Sequence, residues 1–140
     1  MSVEENKAIA CRWIEEVWSR GNLAAIDELF ATDFVFSYPT AGAEPDREGY
    51  KQTVTEMFGP LADVHCTVED IVAEGDKVAV RWTWSGTHKG ELMGIAPTGK
   101  QVTLTGISIL RIVGGKIVEE WGEMDNLGFM EQLGVFPPPG

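Results

Sequence analysis

The apolar period changes once along this chain, and that change limits the fold more than any single motif does. Residues Glu4 to Ser19 place Ile9, Trp13, Ile14, Val17 and Trp18 at spacings of three and four, one face of an amphipathic helix. Gly21 ends that pattern as a C-terminal glycine. "NLAAIDELFA" repeats it with Leu23, Ile26, Leu29 and Phe30, and Asn22 is placed as an N-cap. "DFVFSYP" alternates as a short strand into Pro39, "TAGAEPD" is a loop of turn formers, and Asp46 can cap a third helix over "REGYKQTVTEMFGPL". From His65 onward the period is two. "HCTVEDIVAEG", "KVAVRWTWSGTHKGEL", "GKQVTLTGISILRIV" and "GKIVEEWGEM" read as four strands, with Gly-Asp, Pro-Thr-Gly and Gly-Gly at the turns.

Helices followed by a long antiparallel meander predict an α+β fold, with one domain over residues 1–140. A sheet covered by helices on one face encloses an apolar interior suited to a small molecule. Val78, Val80, Trp82 and Trp84 share one face of their strand and Ala79 the other, so both faces are apolar. The second face then needs cover, which predicts a homodimer through the outer side of the sheet. Arg81, opposite Trp82, is placed to pair with an acid across the sheet or at that interface.

The net charge of −11 and pI near 4.5 exclude the basic footprint that nucleic acid needs and disfavour an anionic membrane surface. Cys11 and Cys66 lie far apart without a CxxC spacing and read as two buried free thiols. The start "MSVEENKAIA" lacks a basic region followed by an apolar stretch, and no run approaches the ~18 apolar residues of a membrane span. A cytoplasmic protein is expected.

"AEGDKVAVRWTWSGTHKGELMGIAPTGKQV", followed by "GKIVEEWGEMDNLGFMEQLG", resembles the SnoaL-like polyketide cyclase or ester cyclase family of the NTF2-like superfamily, from about Asn6 to Gly134. The resemblance rests on Gly-Thr-His-x-Gly, Pro-Thr-Gly-Lys and W-x3-D-x-L-G-x3-Q-L-G taken together. It implies a cone-shaped α+β barrel and a cofactor-independent site, in which a polyketide ester is closed into a ring by intramolecular aldol condensation. It also implies that one aspartate near the last strand is the general acid/base, and by motif that position is Asp125. Relatives of the fold include isomerases, dehydratases and epoxide hydrolases, so the shared fold leaves the reaction open. The cyclases carry a histidine near the end of the first strand, where this chain has Ser37 or Tyr38.

A regular strand over residues 116 to 125 puts Glu119, Trp121, Glu123 and Asp125 on one face and Glu120, Gly122 and Met124 on the other. Turned into an apolar cone, such a row of acids would have raised pKa values, as proton abstraction beside a carbonyl requires. Equally, Asp125 can be the N-cap of a closing helical turn over "NLGFMEQL", and Glu119 and Glu123 can be rim charges. His88 shares parity with Trp82 and Trp84, so it either faces the cavity to hold an enolate oxygen or is bound at a turn. His65 reads as structural.

Trp13, Trp18, Phe36, Tyr38, Trp82 and Trp84 belong either to the core or to an aromatic-lined cavity, and Trp121 and Glu123 join that lining if their face points inward. Five tryptophans in 140 residues favour a cavity. No metal-ligand spacing, GxGxxG, P-loop or nucleophile elbow is present, so no cofactor is expected. The expected partner is a small apolar carbonyl compound. Two classes stay open, a proton-transfer enzyme with Asp125 and His88 as catalytic residues and a small-molecule-binding dimer without turnover.

Overall fold

Ser2 opens the first helix with a reciprocal cap: its Oγ accepts from Glu5 N at 3.0 Å, and Glu5 Oε1 accepts from Ser2 N at 3.1 Å. The structure, a computed structural model, describes residues 2–37, 43–92 and 94–134. In chain order it runs α1 (Val3–Arg12), a π-helical segment (Trp13–Ser19), α2 (Leu23–Leu29), β1 (Phe30–Phe36), α3 (Arg47–Phe58), β2 (Leu61–Glu74), β3 (Lys77–His88), β4 (Gln101–Val113), β5 (Lys116–Met124) and α4 (Asn126–Gln132). The expected first helix is therefore two windings, α and then π. Gly21 ends it at φ +66°, its N–H donating to Val17 O at 3.0 Å. Asn22 and Asp46 cap α2 and α3 as expected, accepting from Ala24 N at 3.2 Å and Gly49 N at 2.8 Å. β2 begins at Leu61 rather than His65, because Gly59 and Pro60 stop α3 and release the chain into the sheet.

The five strands form one mixed sheet in the order β1-β5-β4-β3-β2, with β1 parallel to β5 and the other pairs antiparallel. Two-residue turns at Gly75-Asp76 and Gly114-Gly115 join the hairpins, and Gly114 and Gly115 take φ +60° and +80°, as a primed turn demands. The helices cover one face. There Val78, Val80 and Trp84 of β3 and Val102, Leu104, Leu110 and Ile112 of β4 are buried at alternate positions against Ala10, Trp13, Val17, Ile26 and Tyr50. Parity along β3 is thus as the sequence implied.

Parity along β5 is not, and one residue is responsible. Ile112 pairs with Ile117 and Arg111 with Glu119, so Val118 is an extra residue in β5, a β-bulge. Ile117 is buried, and uninterrupted alternation from it would carry Glu119, Trp121 and Glu123 inward. The bulge reverses that alternation, burying Glu120 and turning Glu119, Trp121 and Glu123 to the outer face.

On the outer face, register places Val72, Ala79, Ile109 and Trp121 in one row across four strands. Val72 is 63% exposed, and Ile109 and Trp121 are exposed beside it. Arg81 pairs with Asp70 at 3.7 Å, Arg111 with Glu119 at 3.6 Å, and Lys77 Nζ lies 5.5 Å from the Trp121 ring centre. Both cysteines are free, but only Cys66 is buried; Cys11 lies on the solvent side of α1. Among the described residues no helix is long and apolar enough to cross a membrane.

Candidate active site

Trp13 and Trp18 are five residues apart, which in an α-helix puts side chains about 140° apart around the axis. In π winding the hydrogen bonds run from i to i+5, so residues at that spacing come nearly into line. Both indoles consequently reach one atom: Trp13 Nε1 and Trp18 Nε1 donate to Tyr50 Oη at 3.0 and 2.9 Å. Tyr50, on α3, is fully buried. With two N–H groups donating to its oxygen, its own proton is directed elsewhere, and the acceptor beside it is the Glu120 carboxyl.

A second arm reaches Glu120 from the sheet. Trp82 Nε1 donates to Ser108 Oγ at 3.0 Å, and the Ser108 hydroxyl stands near enough to the Glu120 carboxyl to favour its anion. A Cβ on Gly122 would stand 3.6 Å from both Glu120 Oε2 and Ser108 Oγ, which marks how closely those two atoms gather at that backbone. Gly106 makes room for this arm: a Cβ there would meet Trp82 Cζ2 at 2.5 Å and Glu123 O at 2.7 Å. Three indole N–H groups thus orient two hydroxyls toward one carboxyl.

Glu120 is 5% exposed and has no cation beside it among the described ion pairs. Burial pushes its pKa from the usual carboxylate range up to about 7, against the opposing pull of the Tyr50 and Ser108 hydrogen bonds. Burial and the neighbouring Glu120 charge push the Tyr50 phenol well above its ordinary value, so it stays a donor. Glu120 Oε1 has no hydrogen-bond partner among the described residues. Such a group in a native fold calls for an explanation.

Glu120 is also among the residues that line a cavity of about 710 Å³. Trp13, Trp18, Trp82, Trp84, Phe36 and Leu104 form much of its wall. The indole N–H groups are already committed, Trp84 Nε1 donating to Trp18 O at 2.8 Å, so the cavity meets ring surfaces rather than donors. Cys66 also lines it, but burial pushes that thiol up to about 12 and keeps it protonated. Among the described residues no three His, Cys, Asp or Glu side chains gather as metal ligands.

Trp13, Phe36, Trp82 and Trp84 line the cavity. Trp121 and Glu123 do not, because the Val118 bulge turns them to the outer face. Asp125 is exposed and takes the other role open to it, its Oδ1 accepting from Gly128 N at 2.9 Å to cap α4. It stands one residue past β5, outside the cavity lining. α4 then closes one end of the cavity with Phe129 and Met130, and Gln132 ties it to the sheet through Thr103 N and O at 2.7 and 2.8 Å. His88 is fully buried yet does not line the cavity; its Nδ1 accepts from Thr98 N at 3.3 Å and lies 3.0 Å from Thr98 Oγ1, pinning the loop before β4. Nε2 of that ring has no partner among the described residues. His65 is exposed. Tyr38 lies outside the described residues, and Ser37 N donates to Glu120 O at 3.1 Å.

Glu120, Tyr50 and Ser108 were not among the residues singled out from sequence. The faint signal was the pair Ile117-Val118 beside the pair Glu119-Glu120, since two like neighbours break strict alternation.

The α+β architecture, with helices on one face of the sheet and an aromatic-lined cavity between them that a buried carboxyl also lines, is that of the NTF2-like fold. The chain belongs to the SnoaL-like polyketide cyclase family, whose model matches residues 8–133. It is similar in structure to IdmH from Streptomyces antibioticus, a candidate polyketide cyclase, at 36% identity and a TM-score of 0.83 over 93% of this chain and 99% of that one. It is similar also to AclR from Streptomyces galilaeus, a candidate hydroxylase, at 32% identity and a TM-score of 0.86 over 97% and 100% of the two chains. TsrD from Streptomyces laurentii aligns at 25% identity with a TM-score of 0.85, over 96% and 98%. No curated protein matches the sequence.

Proposed function

We propose that this protein catalyses cofactor-independent acid/base chemistry on a small apolar carbonyl compound, with Glu120 rather than Asp125 as the proton carrier. The observation that supports the reading is a buried carboxyl, raised to about 7, on a residue that lines an apolar cavity. In its anionic form Glu120 removes a proton α to a carbonyl. The enolate carbon attacks a second carbonyl of the same molecule, forming a C–C bond, and the resulting alkoxide takes the proton back from Glu120. Enclosing a folded substrate supplies proximity, which is worth up to ~7–11 kcal/mol. The same proton transfers without the second carbonyl give an isomerisation or dehydration, so the aldol ring closure is the reading the family favours, as with IdmH.

The test uses deuterium exchange at C1 of 2-tetralone, an apolar bicyclic ketone, followed by NMR. Wild type is expected to accelerate exchange, with the rate rising through pH about 7, and Glu120→Gln to lose ~10²–10⁴ of it while still binding the ketone. Exchange by Glu120→Gln at the wild-type rate would remove Glu120 from the chemistry. Tight binding with no exchange in either protein would favour the non-catalytic binding module.

The same reading makes the protein a cytoplasmic homodimer. The free thiols fit a reducing compartment, and the apolar row from Val72 to Trp121, edged by charges of both signs, fits a self-complementary sheet face. Sedimentation as a monomer at micromolar concentration would remove the dimer.

A further inference from the structure

We propose that Gly122 is the specificity-determining residue of the cavity, its missing side chain leaving the space beside the Glu120 carboxyl into which the reacting ring carbon of a flat ketone fits. The inference rests on the reading of Glu120 as the proton carrier and adds where on the wall the substrate lies. Its first ground is that the fold does not require a glycine there. Gly122 is interior to β5, paired with Ser108 of β4, and its φ is not positive. A Cβ built on it would make only ordinary contacts, at 3.6 Å, whereas on Gly106 of the neighbouring strand it would meet Trp82 Cζ2 at 2.5 Å. Packing thus demands Gly106 and does not demand Gly122. A glycine inside a strand weakens it, and one that packing does not demand marks a place where a ligand comes close to the backbone.

The second ground is which atoms border the space. Among the described residues, a Cβ on Gly122 would come within 4 Å of two atoms, Glu120 Oε2 and Ser108 Oγ. Gly122, Glu120 and Ser108 all line the cavity. Glu120 is 5% exposed, and its other oxygen, Oε1, has no hydrogen-bond partner among the described residues. The Val118 bulge sets this arrangement, since it brings Glu120 and Gly122 to the inner face together.

A ligand carbon in that space lies in van der Waals contact with the carboxyl, as removal of its proton requires. Bare backbone admits a flat ring carbon at that distance, and a side chain would hold the ring off. Trp82, whose Nε1 donates to Ser108 Oγ, and Phe36, paired with Glu120 across β1 and β5, line the same cavity and offer such a ring aromatic surface.

Gly122→Ala tests this with 2-naphthol, a flat mimic of the 2-tetralone enol. Binding is read by titration calorimetry and folding by melting temperature. The variant is expected to melt no lower than wild type, because alanine is the less flexible residue in a strand. It should bind 2-naphthol at least about tenfold more weakly, because its methyl overfills the space, and lose at least that factor in kcat/KM for 2-tetralone exchange. Gly59→Ala makes the same change at the end of α3, outside the cavity lining, and should alter neither reading. Unchanged 2-naphthol binding by Gly122→Ala, or equal weakening by Gly59→Ala, would overturn the assignment. So would a lowered melting temperature, which would make Gly122 a packing glycine. Weaker binding by Gly122→Ala with no exchange in wild type would keep Gly122 as the contact and count against Glu120 as catalyst alone. A wild-type protein that binds no 2-naphthol would overturn the contact together with the substrate cavity.

Discussion

Trp13 Nε1 donates to Tyr50 Oη at 3.0 Å across 37 residues of sequence, and Trp18 Nε1 reaches the same oxygen from five residues further along the π-helical segment. That convergence leaves the Tyr50 proton for Glu120. The buried carboxyl is thus flanked by aromatic residues that present only ring surfaces to the cavity.

Tyr50→Phe removes a donor that favours the Glu120 anion, so the Glu120 pKa should rise further above about 7. The pH at which 2-tetralone exchange reaches half its maximum is expected to move upward. Two indole N–H groups also lose their acceptor, at a cost of about 1–3 kcal/mol each in chemical denaturation. A purely structural tyrosine would lower stability and leave the pH midpoint where it was.

Glu120 also ties stability to pH. Its pKa is raised on folding, so the folded protein holds a proton that the unfolded chain has released between about 4.5 and about 7. Stability from this group is full below pH 4.5, falls across that window, and is lower by about 3 kcal/mol above it. Glu120→Gln never ionises. Its melting temperature should match wild type near pH 4.5 and exceed it at pH 8; parallel pH curves for the two proteins would show that Glu120 is not buried.

Asp125→Ala removes the α4 cap made to Gly128 N and is expected to cost about 1 kcal/mol in urea. Exchange of 2-tetralone should be retained, since the side chain is exposed and outside the cavity lining. Loss of exchange with stability preserved would return the catalytic role to Asp125.

The two thiols should separate cleanly. Cys11 is exposed, whereas the Cys66 thiol is buried and pushed up to about 12. With a chromogenic disulfide at pH 8, one thiol per chain is expected to react in the native protein and two in denaturant. A filled cavity should leave the native count unchanged.

Much of this fold is set by short-range chemistry and is therefore legible in the residues alone. Asn22 and Asp46 announce helix starts because a cap needs only its own next three residues. Gly114-Gly115 announces a hairpin because only glycine takes positive φ twice at low cost. Alternation along β3 places Trp82 and Trp84 inside with no knowledge of their neighbours. The family motif likewise reads through to an α+β cone with an aromatic interior.

Which carboxyl faces that interior was decided elsewhere. "KIVEEWGEM" has the same composition in either register, and the choice belongs to β4, whose Arg111 and Ile112 pair with Glu119 and Ile117 and force Val118 out as a bulge. One inserted residue exchanges the faces of everything after it, because the side-chain period of a strand is two. The π winding has the same character. A helical wheel drawn for "WIEEVWS" separates Trp13 from Trp18, and only the Tyr50 hydroxyl on α3 gives both indoles a reason to converge. The sequence by itself determined the elements and their caps, since those energies are local. The tertiary structure decided the acid, since burying Glu120 depends on strand pairing and hydrogen bonds between residues distant in the chain.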